Sequence, residues 1–125
     1  MKRPVLGSLL LSSTDPDRLS TWYASVLDPE HDAGVNGYRV LNFGGFYLFI
    51  DTRADVGAQN PEPGRVILNF DVEDARAVAA RMEREGTKWL AEIEDRDGSL
   101  FATAIDPDGN YVQIIQLSEA HRQDM

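Results

Sequence analysis

The residues with chemistry to offer are few and mostly neutral. There is no cysteine, which removes disulfides, thiolate metal sites and cysteine nucleophiles. Neither histidine has ligand spacing to a carboxylate on a strand: His31 falls in a loop region and His121 in a polar tail. What remains are polar residues set into apolar runs, namely Ser8, Ser12, Asp51, Asn69 and Gln113. Amides and hydroxyls in such places hold ligands by hydrogen bonds or tie strands together, whereas general acid–base work needs a carboxylate or an imidazole. Gln113 shares a strand face with Tyr111 and Ile115, so its amide needs a partner if it is buried. A ligand and a neighbouring strand satisfy that requirement equally well. No nucleophile–base pair stands out.

These residues must be positioned by strands and helices whose signals run twice along the chain. Residues 5–12 read as a short apolar strand, and Asp15 caps a helix with Pro16 in its first turn. Leu19, Trp22, Tyr23 and Val26 then line one helical face, a pattern that predicts core packing. A short strand is expected around His31. Residues 38–43 and 46–50, split by Gly44-Gly45, form a hairpin signature. The Gly- and Pro-rich residues 55–64 are a linker. The order then restarts with a strand at 65–72 and a helix capped by Glu73 or Asp74, which carries Ala75, Val78, Ala79 and Met82 on its apolar face and stops at Gly86. Strands at 87–94, 99–106 and 111–117 follow, separated by turns at Asp97-Gly98 and Asp108-Gly109.

An offset of 59 residues puts Leu9 on Leu68, Leu11 on Phe70, Asp15 on Asp74, Leu19 on Val78 and Tyr23 on Met82. The halves repeat in structure more than in letters. Each reads β-α-β-β-β, and a chain of 125 residues suits one domain made of both. The expected boundaries are about 4–54 for the first module, 55–64 for the linker, 65–118 for the second module and 119–125 for a polar tail.

The net charge of −9, from 21 acids against 12 bases, disfavours nucleic acid as a partner. No apolar run approaches the roughly 20 residues that cross a bilayer, so no membrane partner is expected. Lys2 and Arg3 precede only a short apolar run that breaks at Ser12, which argues against a signal peptide and for a cytoplasmic protein. The acidic run Glu92, Glu94, Asp95 and Asp97 reads as a solvated strand end and turn. Arg39 and Arg65 read as salt-linked surface residues before carboxylate binders.

Three features carry a family resemblance. Asp15 is followed by Trp22, Tyr23 and Leu27; Phe70-Asp71-Val72-Glu73-Asp74 opens the second half; and Asp106-Pro107-Asp108-Gly109-Asn110 leads into the last strand. Their order and spacing, over nearly the whole chain, resemble the vicinal oxygen chelate superfamily of glyoxalases, bleomycin-resistance proteins and extradiol dioxygenases. Leu19 and Trp22 depart from the small residue and phenylalanine usual in the first motif. The resemblance implies an α+β fold of two β-α-β-β-β modules forming a curled mixed sheet around a cavity, with helices outside.

In metal-dependent members four inward positions supply the ligands, and the motifs lay Ser8, Phe49, Ile67 and Gln113 on them. Phenylalanine and isoleucine offer no donor, and a neutral amide is a poor replacement for a carboxylate. No metal and no other cofactor is therefore expected. Strand alternation sends Ser8, Ser12, Ile67 and Asn69 to the cavity side, and Leu9, Leu11, Val66, Leu68 and Phe70 under the helices. Asp51 and Asp71 are then the carboxylates available for acid–base chemistry.

The expected function is metal-independent binding of a small organic molecule, a cationic or aromatic drug or metabolite. The ligand-binding candidates are Ser8, Tyr47, Phe49, Asp51, Ile67, Asn69, Tyr111 and Gln113, with Tyr38 and Trp89 as further wall candidates. No catalytic residue is nominated. The alternatives are a lyase- or dioxygenase-like enzyme of the same superfamily, and an interaction module with a vestigial cavity. A homodimer is expected by analogy.

Overall fold

A computed structural model of the chain describes residues 2–35 and 37–124. The chain divides into two compact units, Met1–Ala58 and Gln59–Met125, and each repeats one topology.

The first unit runs β1 (Ser8–Ser13), α1 (Pro16–Leu27), β2 (His31–Val35), β3 (Tyr38–Phe43) and β4 (Phe46–Thr52). Its sheet has the order β1-β4-β3-β2, with β1 parallel to β4 and the other pairs antiparallel. The short strand around His31 is present as β2. The Asp15 carboxylate accepts the Arg18 N–H at the start of α1, and Pro16 needs no partner there. Leu19, Tyr23 and Val26 on α1 are fully buried, as are Leu41 on β3 and Ile50 on β4. The helix packs against β1, β3 and β4. The β3–β4 turn has positive φ at both Gly44 (63°) and Gly45 (92°), the geometry whose twist matches a two-residue hairpin.

The second unit runs β5 (Leu68–Asp71), α2 (Ala75–Arg84), β6 (Lys88–Arg96), β7 (Ser99–Ile105), β8 (Tyr111–Gln116) and α3 (Glu119–Gln123). Its sheet order is β5-β8-β7-β6, with β5 parallel to β8. Asp74 caps α2 by accepting the Ala77 N–H. Gln116 on β8 reaches the same helix end and accepts the Ala75 N–H at 2.8 Å. Val78 and Met82 are buried beneath α2, with Ala102, Ala104, Val112 and Ile114 of the sheet. The fold is α+β, two β-α-β-β-β modules, and the register of the repeat places both capping acids and both helix cores as the offset requires.

Three expectations are corrected. The strand expected from residue 65 begins at Leu68, and Val66 is exposed instead of lying under a helix. The cause is the partner strand. Leu68 lies opposite Val112, so Ile67 and Val66 would fall opposite Tyr111 and Asn110, and Asn110 is committed to the preceding turn. The tail expected to be merely polar contains α3, whose N-cap Ser118 accepts the His121 N–H. Ser99, fully buried, bonds both the Ser118 N–H and the His121 ring, and Arg122 pairs with Asp71. Met125 lies outside the described residues. Trp89 is not on the ligand-candidate side of its sheet. Trp89 stands opposite the helix-side Ala104, and its indole N–H donates to Glu83 of α2.

Candidate functional site

In each sheet one face is covered by the longer helix, α1 or α2; the other carries no helix in the first sheet and in the second only α3, at the end near Ser99 and Asp71. On the first sheet the open face is fixed by register. Ser8, Leu10 and Ser12 of β1 stand opposite Tyr47, Phe49 and Asp51 of β4, and Phe49 and Tyr47 stand opposite Val40 and Asn42 of β3. Four of the sequence candidates, Ser8, Tyr47, Phe49 and Asp51, therefore share this face. The intervening Leu48 and Ile50 go to the helix side and are buried. Tyr38 meets Phe49 edge-on with ring centroids 5.7 Å apart, and Tyr47 stacks on Phe49 at 6.5 Å. Leu10 remains 52% exposed and Tyr47 42%. The result is an aromatic and aliphatic surface on a strand framework that no helix covers. Asp51 sits at its end, where its carboxylate accepts the Thr52 N–H at 2.7 Å.

On the second sheet Asn69 of β5 stands opposite Gln113 of β8, and Gln113 opposite Thr103 of β7. Tyr111 lies two residues before Gln113 on the same face, opposite Ile105. Asn69, Tyr111 and Gln113 are thus brought together. Ile67 precedes β5 and is 41% exposed. Thr103 and Val40 were not nominated from the sequence. Their strands were readable, but a residue's cross-strand neighbour depends on the pairing register, which alternation alone does not give.

The turn that introduces Gln113 is built for structure. Asp106 is almost fully buried, and its Oδ1 accepts the N–H groups of Asp108 and Asn110, each at 2.9 Å. Its Oδ2 accepts the Asn110 side-chain amide at 2.9 Å. The Asn60 N–H and the Gln59 side-chain amide donate to the carbonyls of Asp108 and Pro107, which binds the start of this unit to the turn. Gly109 holds φ +81°, a conformation that favours glycine, and a Cβ there would also push aside the Gln59 amide oxygen, 2.7 Å away.

The charged candidates are largely spoken for. Arg39 pairs with Asp32, Arg65 with Glu62, Arg96 with Glu94, and Asp71 with Arg122. Arg53 donates to Asp55, and this hydrogen bond holds the Asp55 carboxyl below its ordinary value. Asp71, Val72, Glu73 and Arg122 border a surface recess of about 330 Å³. Among the described residues no group of three or more histidine and carboxylate side chains is placed to hold a metal ion. The residues that the sequence motifs lay on the superfamily's four ligand positions do not fit one either. Phe49 and Ile67 have no donor atom, and Ser8 and Gln113 are neutral.

The fold is shared with many solved structures. The chain aligns with Oxidase ChaP-H1 at 20% identity and a TM-score of 0.75, covering 93% of this chain and 98% of that one. It aligns with the fosfomycin resistance protein FosX from Mesorhizobium loti at 14% identity and a TM-score of 0.73, covering 98% and 99%. A glyoxalase/bleomycin resistance protein from Albidiferax ferrireducens aligns at 16% identity and a TM-score of 0.72, covering 89% and 98%. At these identities the likeness is one of fold. No curated protein matches the sequence. The family model described as the glyoxalase-like domain matches residues 8–115, nearly the full span of both modules, and the chain belongs to that family.

Proposed function

We propose that the chain binds a small organic molecule with an aromatic part, without a metal ion, on the open faces of its sheets. The observation that supports this most is the aromatic group Tyr38, Phe49 and Tyr47 beside Leu10, an apolar surface left partly exposed on a face with no helix. A mostly apolar wall with a few polar groups is the usual make-up of a small-molecule site. The ligand-binding residues are Ser8, Tyr47, Phe49 and Asp51 in the first unit, with Ile67, Asn69, Tyr111 and Gln113 in the second. Asp51 is the group that would favour a cationic ligand. Its carboxylate already holds the Thr52 N–H, with Arg53 nearby, which reduces what it offers.

The enzyme reading draws on the names of proteins with the same fold, an oxidase and a fosfomycin resistance protein. It requires ligands or an acid–base pair that the residues at the superfamily's metal positions do not supply. A homodimer forms the second part of the proposal. Val5 and Leu6 are exposed just ahead of β1, an edge strand, and such a patch is what association covers.

Two measurements test these readings. Protein purified without chelator is expected to carry substoichiometric metal, and aromatic compounds are expected to raise its melting temperature because they prefer the folded state. They should also move amide resonances of Tyr38, Tyr47 and Phe49. Stoichiometric, tightly held metal would sink the metal-independent reading. For association, sedimentation velocity should show a dimer that persists at micromolar concentration, and a monomer throughout would remove that part.

A further inference from the structure

Resting on the binding reading above, the second unit narrows the chemistry of the ligand. Asn69, Gln113 and Thr103 form one rung across β5, β8 and β7 on the open face. Directly opposed residues bring their side chains to within about 5 Å of one another. Each of these side chains carries both a donor and an acceptor. Among the described residues none of the three makes a side-chain hydrogen bond and none has a polar side-chain atom buried without a partner, so their donors and acceptors stay open to an incoming group. The rung lies between Tyr111 and Ile105 to one side and Phe101 and Ile115 to the other.

Not every charge around this rung is paired, since Lys88, opposite Ile105 on the same face, makes no ion pair among the described residues. Asp71, next on β5, is paired with Arg122 at 3.2 Å. Arg96 is paired with Glu94 at 2.8 Å and lies over the Phe101 ring at 4.9 Å. A charged group placed on the rung itself would lose hydration and meet no directly opposed charge, because the rung continues to Ala91 on β6. A neutral one would lose little and satisfy both amides. We infer that the second unit's open face recognises a neutral, planar carboxamide-like group, with donor and acceptor side by side and an attached ring against Tyr111, and that it discriminates against charged isosteres.

The test uses three ligands of one shape: 2-naphthamide, 2-naphthamidine and 2-naphthoate, which are neutral, cationic and anionic. Each is titrated into the full chain, following the side-chain amide resonances of Asn69 and Gln113 and the backbone resonances of both open faces. The neutral amide is expected to bind at least about tenfold more tightly than either ion, because a site built from hydrogen bonds penalises groups left unpaired. It should shift both side-chain amides. Gln113→Leu and the near-isosteric Thr103→Val should each weaken it about fivefold or more, and Gln113→Glu should turn preference toward the amidine. If an ion binds as tightly as the amide, or if neither Gln113→Leu nor Thr103→Val weakens the amide, this inference fails while small-molecule binding stands. If none of the three moves any open-face resonance at 10-fold molar excess and above, up to their solubility, the binding reading falls with it.

Discussion

Asp106 shows how a side chain that looks reactive can be wholly structural. A buried carboxylate beside a candidate site would ordinarily be examined as a base, but three donors at 2.9 Å occupy its two oxygens. Asp106→Ala leaves buried N–H groups without acceptors, each costing about 1–3 kcal/mol. A loss of that order or more is expected in urea denaturation, with ligand affinity per folded molecule retained. Asp55 belongs to the opposite case, a surface acid with a resolved cause for its titration. Its hydrogen bond from Arg53 lowers its folded-state pKa, so the stabilisation is present above the unfolded value and is lost as pH falls through the folded one. Both side chains are largely exposed, and exposed pairs contribute little. A carbon-detected NMR titration should place Asp55 below the usual aspartate range, and Arg53→Gln should return it there with scarcely any change in melting temperature.

At the level of elements, the caps and apolar stripes were readable because they are local. Asp15 and Asp74 announce their helices, and Leu19, Tyr23, Val78 and Met82 lie where the 3.6-residue period puts them. Replacing either cap by alanine should cost about 1 kcal/mol, and the two effects should add within error because the caps serve separate helices. Equilibrium unfolding of the single and double variants checks both statements. The elements that were misread depend on distant partners. Alternation through Val66 and Ile67 looks like a strand, but the partner Val66 would need, Asn110, is held in the Asp106 turn. The face of Trp89 follows from its pairing with Ala104 of β7, a partner that lies outside its own strand, and the irregular register beyond it leaves Leu90 exposed. For α3 a signal was present: Ser118 followed by Glu119 is a common helix start. Of the candidate site, the polar residues were visible, but the rung of Asn69, Gln113 and Thr103 needed the pairing of three strands.

For the whole molecule the proposal of one domain has a direct consequence. Heat should unfold the chain in one transition whose calorimetric and van't Hoff enthalpies agree, and two resolved transitions would show independent units. The net charge of −9 adds self-repulsion to the folded state, so moderate salt should raise the midpoint.

The parallel pairing of each module's first strand also dictates timing. During synthesis β1 emerges with no strand to join, because its register partners in β4 follow only after α1, β2 and β3. The β3–β4 hairpin closes locally through Gly44-Gly45, so it forms early, and β1 must wait to complete the edge. Leu48→Ala in the hairpin should therefore mainly slow folding, whereas Leu11→Ala in β1 should mainly speed unfolding. Chevron measurements on the two variants distinguish them, and the reverse pattern would mean that the module begins at its edge. Until β4 arrives, a nascent apolar edge is open to any passing chain, which makes the interval between these two strands the period of greatest exposure to aggregation.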